Sequence, residues 1–292
     1  MVVSKAFLSD LLELNKIRIT WFVAVSTIVG YVLASGGIDI DIFLPVLGVF
    51  LIACGASALN HYQERDTDAL MARTKSRPLP SGRMKPMTAL IILTIEIVSG
   101  LLVLLIFSGI AAALLGVLAV FWYNAFYTPL KRKTAMAVVP GALIGSIPPA
   151  IGWVAGGGSV FDPEAVALAL FFFIWQIPHF WLLLLIYGKD YEQAGMPSLT
   201  QIFSPRQLSR ITFMWILALV ASCLIIPLFG VVESIVINTL LVLAGIWLIY
   251  KSGNLLKNYY ERITFRFAFK EINNYVLYVI ILLSLNRIFN IF

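Results

Sequence analysis

Uncharged apolar runs alternate with short polar stretches along the whole chain. A helix needs roughly 20 apolar residues to cross a hydrocarbon core. Runs of that order lie at about 17–35, 43–63, 87–107, 109–127, 136–155, 165–187, 211–229, 232–250 and 273–291. The pattern predicts an all-α integral membrane protein with nine transmembrane helices, numbered here as spans 1 to 9. Ser4–Asn15 reads as a short amphipathic helix lying at the membrane interface. The whole chain, 1–292, then forms a single membrane-embedded domain with residues 1–16 as its interfacial segment. Span 1 is long for a signal-peptide core and reads as a retained helix. Composition agrees: 60% of the 292 residues are hydrophobic and 12% are charged, with a mean hydropathy of +0.93. A globular chain carries about a quarter charged residues. Cys54 and Cys223 lie inside apolar runs without metal-ligand spacing and read as buried thiols.

The basic residues are one-sided. Twenty of the 21 Lys and Arg residues fall in the N-terminal segment or in the loops after spans 2, 4, 6 and 8; only Arg287 does not. The alternate loops carry Asp39, Asp41, Asp162, Glu164 and Glu233 and no cation. The positive-inside rule therefore places the N-terminus and the long loops in the cytoplasm and the C-terminus outside. The net charge of +6 reflects this topology, and no nucleic-acid-binding motif accompanies it.

Charge is also concentrated where span 2 ends. The stretch NHYQERDTDALMARTKSRPLPSGR, residues 60–83, holds three acidic and five basic residues. Asn60, Glu64 and Asp68 are spaced i, i+4, i+8, which aligns them along one helix face. Taken alone, such a stripe is equally a solvated helix end. Asp66 points elsewhere, toward Arg65 or a loop cation. Arg73, Lys75, Arg77 and Arg83 follow in a loop that Pro78 and Pro80 stiffen. Two carboxylates and an amide oxygen suit Mg²⁺ shared with phosphate oxygens, and the cations suit the remaining phosphate charge. The pattern N-x-x-x-[DE]-x-x-x-D followed by R-P-L-P-S-G resembles the UbiA superfamily of intramembrane prenyltransferases. The resemblance implies that Asn60, Glu64 and Asp68 hold Mg²⁺ on a prenyl diphosphate. It also implies a UbiA-type helical bundle around a central cavity open to the cytoplasmic side. Family members more often have Asp where this chain has Glu64.

Two further strings are similar to the haem-farnesylating branch of that superfamily. Tyr127, Thr128, Lys131 and Thr134 match Y-T-x-x-L-K-R-x-T apart from one shortened spacing; Gly141, Gly145, Pro148, Pro149, Gly152 and Trp153 match G-x-x-x-G-x-x-P-P-x-x-G-W. Trp175, Pro178, His179 and Phe180 match W-x-x-P-H-F, and Asp190, Tyr191, Ala194, Gly195 and Pro197 match D-Y-x-x-A-G-x-P. The superfamily's usual second acidic motif, D-x-x-x-D, is not met, so Asp190 is the acidic candidate here, ahead of Glu192. Lys131 and Arg132, with Arg73, Lys75 and Arg77, are candidates for the diphosphate; Lys131–Lys133 also fit a purely topological role. His179 is a lone His in an apolar span, either a packed core residue or a functional one. His179 and, less directly, His61 are the candidate haem contacts. Glu96, in the middle of span 3, has no role in the pattern.

The resemblance implies farnesyl diphosphate as donor, haem B as acceptor and Mg²⁺ as cofactor. A vinyl group would be alkylated and water added, giving haem O, at the cytoplasmic side of the cell membrane. It also brings in the downstream haem A synthase as a candidate partner. Rival readings are a prenyltransferase acting on an aromatic or quinone precursor, a transporter, and a respiratory-complex assembly factor. The P-P-x-x-G-W and W-x-x-P-H-F strings count against the first. Charges gathered at one interface, instead of at the midplane, count against the second.

Overall fold

Helices form wherever the apolar runs lie, because a backbone in lipid must satisfy its own hydrogen bonds. A computed structural model of the chain describes residues 5–258 and 262–289. Residues 1–4 of the interfacial segment and residues 290 and 291 of span 9 lie outside the described residues. The helices are α1 (Lys5–Leu14), α2 (Ile17–Ser35), α3 (Phe43–Asp68), α4 (Pro86–Val120), α5 (Leu143–Ala155), α6 (Pro163–Gln193), α7 (Pro205–Ile225), α8 (Ile235–Ser252) and α9 (Arg262–Phe289). A π-helical stretch, Phe121–Tyr127, continues α4, and shorter turns precede α5 and link α6 to α7. Among the described residues, eight segments are long and apolar enough to cross a membrane.

One of the eight, Pro86–Leu130, is 45 residues long. It breaks at Gly109, whose φ of 83° and ψ of 179° belong to no helix and suit only glycine. Beyond the break the chain runs back: a Cβ on Gly116 would meet Leu101 and Leu104 at 3.1 and 3.2 Å. Residues 12 to 15 positions apart cannot touch along a straight helix, which rises 1.5 Å per residue, so the segment is a hairpin with two apolar arms.

Each helix from α2 to α9 packs on the next, and α9 returns to α2, closing the bundle. The tightest approach is between α2 and α5. A Cβ on Gly30 would lie 1.9 Å from the Pro149 carbonyl oxygen, and one on Gly152 would lie 2.0 Å from that of Thr27. Small residues are what let two backbones come this close inside a membrane. The largest core joins residues of α6, α7, α8 and α9, including Phe171, Ile216, Leu241 and Tyr275.

Helix α9 starts well before the predicted position of span 9. Its membrane-length part is Ile263–Phe289, so Arg266 and Lys270, expected in a loop, lie on its first turns. Both are exposed, while Phe265, Ala268 and Ile272 turn inward. One apolar face is enough to seat these turns on the bundle, although the run as a whole is not uncharged. The expected amphipathic helix is present as α1, with Phe7, Leu8 and Leu12 exposed and Leu14 fully buried.

Candidate active site

The acidic stripe closes the last turns of α3. Asn60, Glu64 and Asp68 are 2%, 5% and 2% exposed, so they are not a solvated helix end. Asn60 Nδ2 donates to Glu64 Oε2 at 3.0 Å and to Thr128 Oγ1 at 3.1 Å. Buried carboxylates need compensating charge, and three cations from three segments supply it. Lys131 Nζ lies 2.6 Å from Glu64 Oε1, Arg77 donates to Asp68 Oδ2 at 2.7 Å, and Lys16 Nζ donates to Asn60 Oδ1 at 2.8 Å. These contacts bring together the start of α2, the end of α3, the loop after it and the end of the hairpin's second arm. That convergence is possible because α4 doubles back at Gly109.

Lys16 is the residue the sequence did not single out for the site. Among the described residues it is the one non-glycine with positive φ, at 47°. The left-handed backbone turns the chain between α1 and α2 and aims the side chain at Asn60, a strain of the kind found where geometry serves a site. Burial, then repulsion from Arg77 and Lys131, lowers its ammonium from the ordinary value to about 7. Glu96 gains a partner in the preceding residue: Asn15 Nδ2 donates to Glu96 Oε1 at 2.6 Å.

The other predicted cations are divided. Arg132 donates to the Gln63 carbonyl at 2.6 Å, beside the stripe. Arg73 sits over the Tyr187 ring at 5.2 Å, tying the loop to α6. Lys75 is exposed. Arg83 is held by Asp10 and Glu13 of α1, and the Glu13 hydrogen bond chiefly raises its pKa. Arg65 pairs with Asp66 at 3.7 Å. On α6, Asp190 is half-buried and makes no side-chain hydrogen bond or ion pair among the described residues, whereas Glu192 accepts from Thr200.

The apolar end adjoins the polar one through aromatic rings. Lys131 Nζ lies 5.7 Å from the Tyr127 ring, Tyr127 is 6.4 Å from Phe180, and Phe180 is 5.5 Å from His179. His179 is half-buried against Trp175 and Phe269, and its Nδ1 is 2.9 Å from Asn273 Oδ1. The π-helical turn sets Tyr127 in this chain of rings, and such turns are frequent at functional sites. His61 differs: it is 1% exposed, and both ring nitrogens are enclosed without a hydrogen-bond partner among the described residues.

A model of the UbiA prenyltransferase family matches residues 23–274. The chain belongs to the UbiA prenyltransferase family. A relative named protoheme IX farnesyltransferase, from Oleidesulfovibrio alaskensis, is 32% identical over 276 residues, covering 94% of this chain and 95% of its own length. The fold is similar to that of a digeranylgeranylglyceryl phosphate synthase, with a TM-score of 0.79, 20% identity, and coverage of 96% and 98% of the two chains. It is also similar to a UbiA homologue from Archaeoglobus fulgidus bound to GPP and Mg²⁺, with a TM-score of 0.67, 14% identity, and coverage of 94% and 99%.

The donor set of this UbiA-family chain fits a magnesium ion shared with phosphate. Glu64 is buried with Lys131 donating to its Oε2 at 2.7 Å, and among the described residues no donor makes a well-aligned hydrogen bond to its Oε1, which the same ammonium approaches at 2.6 Å. Among the described residues no three His, Cys, Asp or Glu side chains cluster closely enough to cage a metal alone. That is the arrangement Mg²⁺ tolerates, since it keeps waters and takes one or two carboxylates plus substrate oxygens.

Proposed function

We propose that this prenyltransferase moves a farnesyl group from farnesyl diphosphate to a vinyl group of protohaem, giving haem O and diphosphate. The observation that carries the proposal is the adjacency of two unlike ends: a buried acidic stripe ringed by cations, and a cluster of aromatic rings around His179, with Tyr127 and Phe180 between them. The name of the Oleidesulfovibrio relative supports the acceptor, and the magnesium in the Archaeoglobus homologue supports the metal. Asn60, Glu64 and Asp68 would hold Mg²⁺, with Asp190 as a further acidic group at the diphosphate. The ion supplies neutralisation of charge that develops on the diphosphate. Arg77, Lys131 and Arg132 meet the remaining oxygens, with Arg73 and Lys75 reaching in from the loop. As the farnesyl C1–O bond breaks, its electron pair leaves with the diphosphate. The vinyl π-electrons form the new bond to C1, and water adds to the carbon left deficient, releasing one proton. Apolar walls protect the allylic cation from early capture by water. His179 faces the acceptor; enclosed His61 is the less suitable of the two histidines.

Counting each arm of the hairpin as a crossing gives nine crossings. The N-terminus and the diphosphate end then face the cytoplasm and the C-terminus lies outside, with the central cavity opening to the cytoplasmic side of the cell membrane. A downstream haem A synthase is a fitting recipient of the product. The test is incubation of the purified chain with farnesyl diphosphate, protohaem and Mg²⁺. Diphosphate should appear together with a porphyrin heavier by one farnesyl group and one hydroxyl group. Chelation of divalent cations should stop both, and Mg²⁺ should restore them. Release that needs an aromatic quinone precursor in place of haem would overturn the acceptor.

A further inference from the structure

We propose that Asn273 of α9 is a positioning residue that presents His179 Nε2 as an axial ligand to the iron of the acceptor porphyrin. The Phe269 carbonyl can only accept, and Asn273 Nδ2 donates to it at 2.6 Å. The other end of the amide, Oδ1, is therefore the atom that faces His179 Nδ1 at 2.9 Å. An amide oxygen can only accept, so Nδ1 carries the hydrogen. Nε2 of the neutral ring is left with its lone pair. That nitrogen has no partner among the described residues and, unlike both nitrogens of His61, it is not sealed from contact. Trp175, Phe180 and Phe269 pack around the ring and hold its plane. A histidine whose remote N–H is fixed by an oxygen, and whose other nitrogen is open, is the usual form of a metal-ligating histidine. The iron porphyrin is here the substrate, so ligation would seat the acceptor on α6 and α9 and turn one edge toward Tyr127 and the diphosphate end. The inference rests on protohaem being the acceptor, as proposed above.

The test titrates ferric protohaem, and metal-free protoporphyrin IX beside it, into the purified full chain in detergent and records the absorption and electron paramagnetic resonance spectra. The wild type should show a histidine-ligated spectrum and prefer the iron porphyrin. His179→Ala should lose that signature and bind haem no better than the metal-free ring. Asn273→Leu should weaken haem binding about tenfold, the loss typical of removing a partner behind a metal ligand. Asn273→Asp, whose carboxylate accepts the same Nδ1–H, should keep the signature and show that the fold is intact. Haem spectra identical in the wild type, His179→Ala and Asn273→Leu overturn the inference. Should farnesyl transfer to haem persist in those same samples, the proposed function stands without it. Absence of any transfer by the wild type would instead remove the function.

Discussion

Asp68 and Arg77 face each other at 2.7 Å with the Asp68 side chain 3% exposed, and the mechanism asks this carboxylate to share its charge with a metal. Asp68→Asn keeps the shape and removes the charge. Diphosphate release at saturating donor should fall about a hundredfold or more, the usual loss when one group that stabilises developing charge is removed. Glu64 behaves differently, because it also balances buried cations. Glu64→Ala leaves Lys131 without its carboxylate. Breaking a buried pair from one side costs about 3–5 kcal/mol, and the 20% exposure of the Lys131 side chain puts this case at the lower end. Denaturant unfolding in detergent should show a loss of about 3 kcal/mol, whereas Asp68→Asn should lose less, because the asparagine keeps an amide oxygen that can still accept from Arg77. The stripe itself was legible in the sequence, since i, i+4, i+8 spacing is a property of the helix alone. Lys16 was legible only as a topological cation. Its role depends on a left-handed backbone and on Asn60, 44 positions away, and no local pattern encodes either. Glu96 with Asn15 and His179 with Asn273 were hidden for the same reason: each pair joins segments far apart in the chain, and the second partner is an unremarkable amide.

The elements were more legible than their contacts. Spans 3 and 4 part at residue 108 in the apolar pattern, next to the break at Gly109, so that boundary could be placed from sequence. The start of α9 could not be, because a search for uncharged runs skips turns that are apolar on one face only. The close approach of α2 and α5 was foreshadowed by the glycines of G-x-x-x-G-x-x-P-P-x-x-G-W, but not its partner helix. Gly152→Ala would put a Cβ 2.0 Å from the Thr27 carbonyl oxygen, a distance that backbone cannot yield to without moving. The helices must separate, at a cost of about 1–3 kcal/mol. Because α2 begins beside Lys16, the displacement should also carry that lysine away from Asn60. The variant should therefore unfold at a lower temperature in detergent and show a raised KM for the prenyl diphosphate. A lowered unfolding temperature with an unchanged KM would mean that Lys16 is held by α1 alone.

At the scale of the whole molecule, the hairpin decides the topology. Lys16, Asp68, Arg77 and Lys131 meet at one end of the bundle, while Tyr31 with Asp39 and Trp153 with Asp162 are tied at segments between the other helix ends. If both arms of α4 cross, three crossings separate the loop after α3 from the turn between α5 and α6, and the two lie on opposite sides. If Pro86–Leu130 crossed once, two crossings would separate them and they would share a side. Ser76 and Ser159 are exposed in these two loops, and the native Cys54 and Cys223 are 2% and 0% exposed, which keeps them from reacting. Ser159→Cys should react with a membrane-impermeant maleimide in intact cells, and Ser76→Cys only after permeabilisation, as the basic loops require. The reverse labelling would invert the orientation and move the diphosphate end outside. Labelling of both from one side would remove one arm of the hairpin as a crossing, and with it the convergence of Lys131 and Arg77 on the same carboxylate stripe.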